Sequence, residues 1–213
     1  MQNDSVVIYD LDGTLVDTAR VVTEILNQMR EQDNRAHLRL ENVRPLTTKG
    51  GTEMIRIALN CPSNKVTEKL GEFREIYKLK ETSEAIVFPG VKSVLRRLKR
   101  EGVSLAICTN KPKSLAVKTL KETKLYDFFD LGVYYDELGR NKPNPDPLFK
   151  IIDYFGLPKS AFVFIGDTKT DLLAATRAGL RFIFFDSGYD PQMTSRMGLE
   201  IISNHPTIFF KIK

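Results

Sequence analysis

The stretch of sequence that decides the fold is VVIYDLDGT, residues 6–14. Its first four residues are apolar and mostly β-branched. The next five bring two aspartates and a glycine, which is typical of a strand that breaks into a turn. Because the strand is apolar without alternation, we expect both of its faces to be buried, as in a parallel sheet covered by helices.

Downstream of residues 88–90 (Phe-Pro-Gly), helical and strand patterns alternate along the chain. Units of this kind are joined by right-handed crossovers and build a mostly parallel sheet with helices on both faces. The spacing predicts a short helix at the C-terminus and these elements: helices over 91–101, 113–122, 147–155 and 171–178, and strands over 103–108, 131–135, 161–165, 182–185 and 200–202.

Residues 17–84 show no convincing strand. Apolar residues recur there at helical spacing over 21–29, 54–59 and 70–79. We therefore predict an α/β fold with a Rossmann-like, mostly parallel sheet core, residues 1–16 and 85–213. A helical cap, residues 17–84, is inserted after the first strand, and Asp17 is expected to begin the hinge between the two.

The composition excludes several classes of protein. Of the 213 residues, 42% are hydrophobic and 28% are charged, which argues against a disordered or fibrous chain. No apolar run approaches the ~18 residues of a membrane span, and the polar N-terminus is unlike a signal peptide. Cys61 and Cys108 are too few for a disulfide framework. We expect a cytoplasmic protein, a monomer or a homodimer, with no membrane partner.

The net charge of +5 is spread along the chain. The densest basic cluster alternates with apolar residues at helical spacing, which indicates the solvated face of an amphipathic helix. No aromatic or recognition motif accompanies it, so the sequence argues against a nucleic-acid partner, although salt-sensitive retention on DNA would support one. The cluster comprises Lys92, Arg96, Arg97, Lys99 and Arg100.

Several common catalytic motifs are missing from the sequence. Neither cysteine is followed at the sixth position by the arginine of a cysteine-dependent phosphatase, and the two histidines lie far apart without metal-ligand spacing. There is no phosphate-binding G-x-x-x-x-G-K-[ST] loop and no G-x-G-x-x-G fingerprint. Any chemistry must therefore use carboxylates, hydroxyls and lysines.

Polar residues follow the ends of four predicted strands. Ligands of open parallel sheets bind beyond the carboxyl ends of the strands, so these residues are expected to share one edge. Each motif alone has an ordinary structural interpretation, such as a turn, a helix N-cap or a surface lysine. The motifs are 10–14 (DLDGT), 109–111 (TNK), Lys142, and 166–171 (GDTKTD).

In this order, the four motifs resemble those of the haloacid dehalogenase (HAD) superfamily over residues 5–16 and 87–202. The segments 108–112 (CTNKP) and 142–147 (KPNPDP) further resemble the phosphoglycolate phosphatase group. The resemblance implies a phosphatase in which Asp10 attacks phosphorus and forms an aspartyl phosphate. Asp12 then protonates the leaving oxygen and later activates water.

The same resemblance implies Mg²⁺ as the cofactor, since Mg²⁺ prefers oxygen ligands and offsets the charge of a phosphate. Its ligands would be Asp10, the backbone carbonyl of Asp12, and Asp167. Asp171 would support either the metal or Lys142.

Phosphoryl oxygens would be held by Thr109 and Lys142, and the charge of the transition state would be offset there. Asn110, together with the backbone around Gly13 and Asn110, would donate further hydrogen bonds to the substrate.

The substrate is expected to be chosen by a cap loop over residues 44–51, where paired glycines permit close backbone approach. Its candidate contacts are Thr47, Lys49 and Gly50. Lys49 either meets a substrate carboxylate or is an ordinary exposed lysine. The loop differs from the one typical of phosphoglycolate phosphatases.

Phosphoglycolate is the leading substrate. Pyrophosphate, a nucleoside monophosphate and a sugar phosphate remain alternatives. Asp12 argues against a dehalogenase, which lacks the second aspartate. Gly166-Asp167 stands where phosphomutases usually carry an acidic pair. A non-catalytic binding protein of this fold would have lost a motif residue, and none is lost.

Overall fold

The computed structural model describes residues 5–190, 193 and 198–208. Its strands are β1 Val6–Tyr9, β2 Ser104–Cys108, β3 Leu131–Val133, β4 Phe162–Gly166, β5 Arg181–Phe185 and β6 Glu200–Ile202. Its helices are α1 Ala19–Gln32, α2 Leu40–Thr47, α3 Gly51–Ala58, α4 Val66–Leu79, α5 Val91–Arg100, α6 Lys113–Glu122, α7 Asp146–Phe155 and α8 Lys169–Ala178.

From α5 to β6, each predicted element is present within two residues of its expected bounds. Of the predicted C-terminal helix, the structure describes one 3-10 turn at His205–Thr207, and residues 209–213 lie outside the described part of the chain. Within that part, no helix is both long and apolar enough to cross a membrane.

The strands form one parallel sheet in the order β3-β2-β1-β4-β5-β6. β1 lies at the centre and pairs with β2 on one side and with β4 on the other. The chain therefore moves outward from β1 in both directions, and the crevice at such a switch point is where open α/β sheets bind ligands. The predicted α/β fold is confirmed.

Both faces of β1 are buried, as its unbroken apolar pattern predicts. Val7 and Tyr9 pack with α5, α6 and the helices of residues 19–79, whereas Val6 and Ile8 pack with α7 and α8. Burying side chains of this size stabilises the fold by about 1.5–3 kcal/mol each. β1 is thus a rigid support for the polar residues that follow it.

Helices α1–α4 fill the segment between β1 and α5 without an intervening strand, as expected. Their grouping as a cap domain over 17–84 stays a prediction. The helix α2 was not foreseen, because Pro45 lies inside it and lacks the N–H that a helix interior uses. The predicted contact loop over 44–51 is therefore wrong at residues 44–47, which form the last turn of α2.

The basic cluster lies on α5, whose apolar face is buried, and three of the five basic residues pair with acids. Lys92 pairs with Glu84, Arg97 lies 3.0 Å from Glu101, and Lys99 lies 2.7 Å from Asp130. The amphipathic helix is confirmed, with these residues buried: Val91, Val94, Leu95 and Leu98.

Candidate active site

The four motifs converge at the carboxyl end of the sheet around β1. Asp10 follows β1, Thr109 follows β2 and Asp167 follows β4, so adjacent strands bring distant positions together. Lys142 reaches the same place from the connection between β3 and α7. All four side chains are buried, and they line one cavity of about 440 Å³ between the sheet edge and the helices of residues 19–79.

Three buried carboxylates form an acidic centre in this cavity. Asp10, Asp167 and Asp171 each offer one oxygen, and the three oxygens lie within 4.8 Å of one another. Burial raises the pKa of Asp10 to about 7, although Lys142 lowers it. Burial and the neighbouring carboxylates also raise the pKa of Asp167 well above its usual range. Hard oxygen donors that repel one another at this spacing fit a divalent cation such as Mg²⁺.

Lys142 supplies the positive charge of this centre. Its Nζ lies 2.5 Å from Asp171 Oδ1 and 2.9 Å from Asp10 Oδ1. The ammonium donates a hydrogen bond to Asp171 Oδ1, and the buried Asp10 Oδ1 forms an ion pair with the same ammonium. Burial lowers the pKa of Lys142, but the two carboxylates outweigh it and raise the pKa overall. Lys142 thus balances part of the negative charge of the two aspartates at the cavity.

The Asn110 side-chain amide and the Gly13 N–H, which we expected to bind the substrate, form hydrogen bonds within the protein. The Asn110 amide donates to Lys142 O at 2.8 Å and accepts from Lys142 N at 3.1 Å. The Gly13 N–H donates to Val16 O at 2.9 Å, and Gly13 does not line the cavity. Asn110 thus holds Lys142 and also lines the cavity, whereas Gly13 lets the turn approach Asp167, whose Oδ2 would lie 2.1 Å from a Cβ at position 13. Contact of either residue with the substrate stays a prediction.

Asp171 divides its two oxygens between a helix cap and Lys142. Asp171 Oδ2 accepts from Thr168 N at 3.1 Å, and Thr168 Oγ1 accepts from Asp171 N at 3.3 Å, which together form a capping box at the start of α8. Asp171 Oδ1 receives the ammonium of Lys142. Of the two roles left open by the sequence, these contacts favour support of Lys142, and the role as a metal ligand stays a prediction.

Asp12 lies three residues after the end of β1, so the alternation of side chains along a strand does not fix the direction of its side chain. Its Oδ1 accepts hydrogen bonds from Thr18 Oγ1 at 2.6 Å and from Lys111 Nζ at 2.9 Å. Asp10 and Asp12 nevertheless line the same cavity. Burial lowers the pKa of Lys111, but Asp12 and Tyr77 together outweigh burial and raise the pKa overall. Sequence reasoning missed both partners, although Lys111 belongs to the motif that contains Thr109.

The side of the cavity formed by α1–α4 is lined by Thr47, Lys49 and Gly50, and also by Arg74 and Tyr77 of α4. Contact of the first three with the substrate stays a prediction. The Thr47 hydroxyl donates to a backbone carbonyl of α2 at 2.7 Å. Arg74 and Tyr77 are three residues apart and share one helix face. The helical spacing over 70–79 was traced through apolar residues, so Arg74 was not foreseen at the cavity.

Asp17, between β1 and α1, bonds to residues of α1, of α2 and of the segment after β5. Its Oδ2 accepts from Arg20 Nε and from Arg44 Nη2, each at 2.8 Å, and its Oδ1 accepts from the Tyr189 hydroxyl at 2.9 Å. Burial favours the neutral acid, but these three hydrogen bonds outweigh it and lower the pKa of Asp17. The charged carboxylate therefore joins α1 and α2 to the segment after β5.

Comparisons with known proteins agree with this geometry. Residues 7–185 match the model of a family described as haloacid dehalogenase-like hydrolase. The chain is 34% identical over 191 residues to phosphoglycolate phosphatase of Pseudomonas syringae pv. tomato, covering 86% of this chain and 70% of that protein.

Two solved structures are also similar to the chain. A predicted phosphoglycolate phosphatase from Haemophilus somnus 129PT superposes with a TM-score of 0.85 at 22% identity, covering 100% of this chain and 99% of that one. A HAD-superfamily hydrolase of subfamily IA, variant 1, from Geobacter sulfurreducens PCA superposes with a TM-score of 0.75 at 25% identity, covering 98% and 96%.

Proposed function

Because the chain belongs to the haloacid dehalogenase-like hydrolase family and is a phosphoric monoester hydrolase, we propose that it is a Mg²⁺-dependent phosphatase with phosphoglycolate as its leading substrate. One observation carries the proposal. The carboxylates of Asp10, Asp167 and Asp171 and the ammonium of Lys142 are buried together at the edge of the sheet, in a cavity that also reaches the cap.

Asp10 is the nucleophile in this proposal. Its Oδ1 attacks phosphorus, a bond forms between Asp10 and phosphorus, and the bond from phosphorus to the leaving oxygen breaks. Asp12 gives a proton to that oxygen and afterwards takes one from the water that hydrolyses the aspartyl phosphate. The burial of Asp10 at the cavity and its ion pair with Lys142 support this assignment.

Charge on the phosphoryl group is offset from several sides. Lys142 and Thr109, both buried in the cavity, would hold its oxygens. When bound, Mg²⁺ would be held by Asp10, the carbonyl of Asp12 and Asp167, and would offset the repulsion between these carboxylates and a phosphate dianion. The side-chain amide of Asn110 holds the backbone of Lys142 through two hydrogen bonds.

A small substrate with a second anionic group fits the cap side of the cavity. Lys49 and Arg74 bring two positive charges to this wall, which also holds the carboxylate of Glu53 and several threonines. Phosphoglycolate carries a carboxylate at the far end from its phosphate, and a guanidinium binds a carboxylate through two parallel hydrogen bonds. The curated relative named phosphoglycolate phosphatase supports the same choice. Pyrophosphate, nucleoside monophosphates and sugar phosphates are the alternatives.

The proposal is tested by ranking a panel of these phosphate esters by kcat/KM, since that ratio measures discrimination between substrates. Asp10→Asn should lower kcat by at least about 10³-fold without unfolding the protein, because an amide is a poor nucleophile. Asp153→Asn, at an exposed position of α7, is the matched control and should stay active.

Removing divalent metal with a chelator should stop turnover, and added Mg²⁺ should restore it. Substantial activity of the Asp10→Asn variant would refute the nucleophile. Turnover that persists without metal would refute the need for Mg²⁺.

A further inference from the structure

We propose that Lys111 is a positioning residue for Asp12: its ammonium holds one carboxylate oxygen so that the other oxygen carries the proton given to the leaving group. This inference rests on the proposed function, in which Asp12 is the proton donor. It adds to the site a side chain that stands 99 positions from its partner in the sequence.

The backbone of Lys111 is held on two sides. It follows β2 by three residues, its N–H donates to Thr109 Oγ1 at 3.2 Å, and its carbonyl accepts from Tyr135 N at 3.2 Å. Pro112, whose φ is restricted by its ring, comes next and precedes α6. The side chain thus starts from a fixed point beside the phosphate-binding Thr109.

The ammonium of Lys111 lies between the core and the cap. Its Nζ lies 4.4 Å from the centre of the Tyr77 ring, which belongs to the cap helix α4. Tyr77 is fully buried, and its hydroxyl lies 3.3 Å from Thr119 Oγ1 of α6. A cation over the face of an aromatic ring is attracted to it, so the ring limits the positions that the Lys111 side chain can adopt.

Two donors converge on a single oxygen of Asp12. Lys111 Nζ and Thr18 Oγ1 both bind Oδ1, at 2.9 and 2.6 Å. The carboxyl group cannot rotate without breaking both hydrogen bonds, and Oδ2 is left as the oxygen that can carry a proton. A general acid must present its proton in one orientation, since small misplacements of a reacting group cost large factors in rate.

The dependence on the leaving group tests this role. Lys111→Met should lower the single-turnover release of alcohol from an alkyl phosphate of the panel by about 10²-fold, because an alkoxide needs a proton to leave. Release of para-nitrophenol from para-nitrophenyl phosphate should change by less than about threefold, because that leaving group departs without a proton. Lys111→Arg, which keeps the charge and the donor, should bring the alkyl phosphate rate to within about tenfold of wild type.

The variants are expected to fold, because the Asp12 side chain is 29% exposed and stays hydrated when Lys111, itself 8% exposed, is replaced. Thermal unfolding checks this. Lys113→Met is the matched control: Lys113 lies two residues further on, is exposed and does not line the cavity, so its loss should leave both rates unchanged.

An equal loss with both substrates would overturn the inference, because it would indicate a merely structural role. A higher KM with an unchanged single-turnover rate would also overturn it, because Lys111 would then be a substrate ligand. A wild-type enzyme that released neither product would overturn the proposed function, and this inference with it.

Discussion

Acidification should destabilise this protein through His205. The ring is buried, and its Nε2 lies 2.8 Å from the carbonyl oxygen of Thr14. A carbonyl can only accept, so Nε2 carries the hydrogen, and Nδ1 is a buried nitrogen with no hydrogen-bond partner among the residues that the structure describes. Protonation would place a second N–H among the rings of Phe185 and Tyr9. Burial therefore lowers the pKa of His205 to about 4, although the bond to Thr14 opposes this.

The sign and size of the effect follow from the two pKa values. A histidine in the unfolded chain titrates near pH 6.5, so between about pH 6.5 and about pH 4 the unfolded state binds a proton that the folded state does not. The stabilisation is fully present above that window and is lost as the pH falls through it. The gap corresponds to about 3 kcal/mol in total, of which about 2 kcal/mol is lost between about pH 8 and about pH 5.

Denaturant unfolding at these two pH values measures the effect. His205→Gln keeps an N–H donor for Thr14 but does not titrate. On acidification the unfolding free energy of the wild type should therefore fall by about 2 kcal/mol more than that of the variant. His37, the other histidine of the chain, is exposed, and His37→Gln should follow the wild type. Parallel pH profiles for the wild type and His205→Gln would refute the reasoning.

Two further substitutions test the site. Gly13→Ala should weaken Mg²⁺ binding and lower kcat/KM by more than about 10²-fold, because the new Cβ would displace Asp167; calorimetry and kinetics measure this. Gly188→Ala, also at positive φ but facing open space, is its control, and equal losses in the two variants would contradict the clash. Arg74→Gln should raise KM for phosphoglycolate about tenfold, through loss of a charge-assisted hydrogen bond, and leave para-nitrophenyl phosphate unaffected. A rise in KM for both substrates would show that Arg74 does not bind the carboxylate of phosphoglycolate.

Local pattern was sufficient for most of the fold. The helix over 113–122 has its predicted bounds, because Leu115, Ala116 and Leu120 recur at helical spacing after a proline. The unbroken apolar run of β1 indicated burial on both faces, which its central place in the sheet explains. The helix α2 was missed because Pro45 is a strong local signal against a helix, and the packing of α2 against α1 and α3 outweighs it.

Motif order was also sufficient to bring Asp10, Thr109 and Asp167 to one place, since the carboxyl ends of adjacent parallel strands share an edge. Sequence order does not report which hydrogen-bonding groups are already used. Only the folded chain brings Lys111 within hydrogen-bonding distance of Asp12 and the Asn110 amide within that of the Lys142 backbone. The fold also brings Arg74 to the cavity wall. Each of these contacts joins elements far apart in sequence. The identity of a polar residue states what it can bind, whereas its neighbours in the folded protein decide what it does bind.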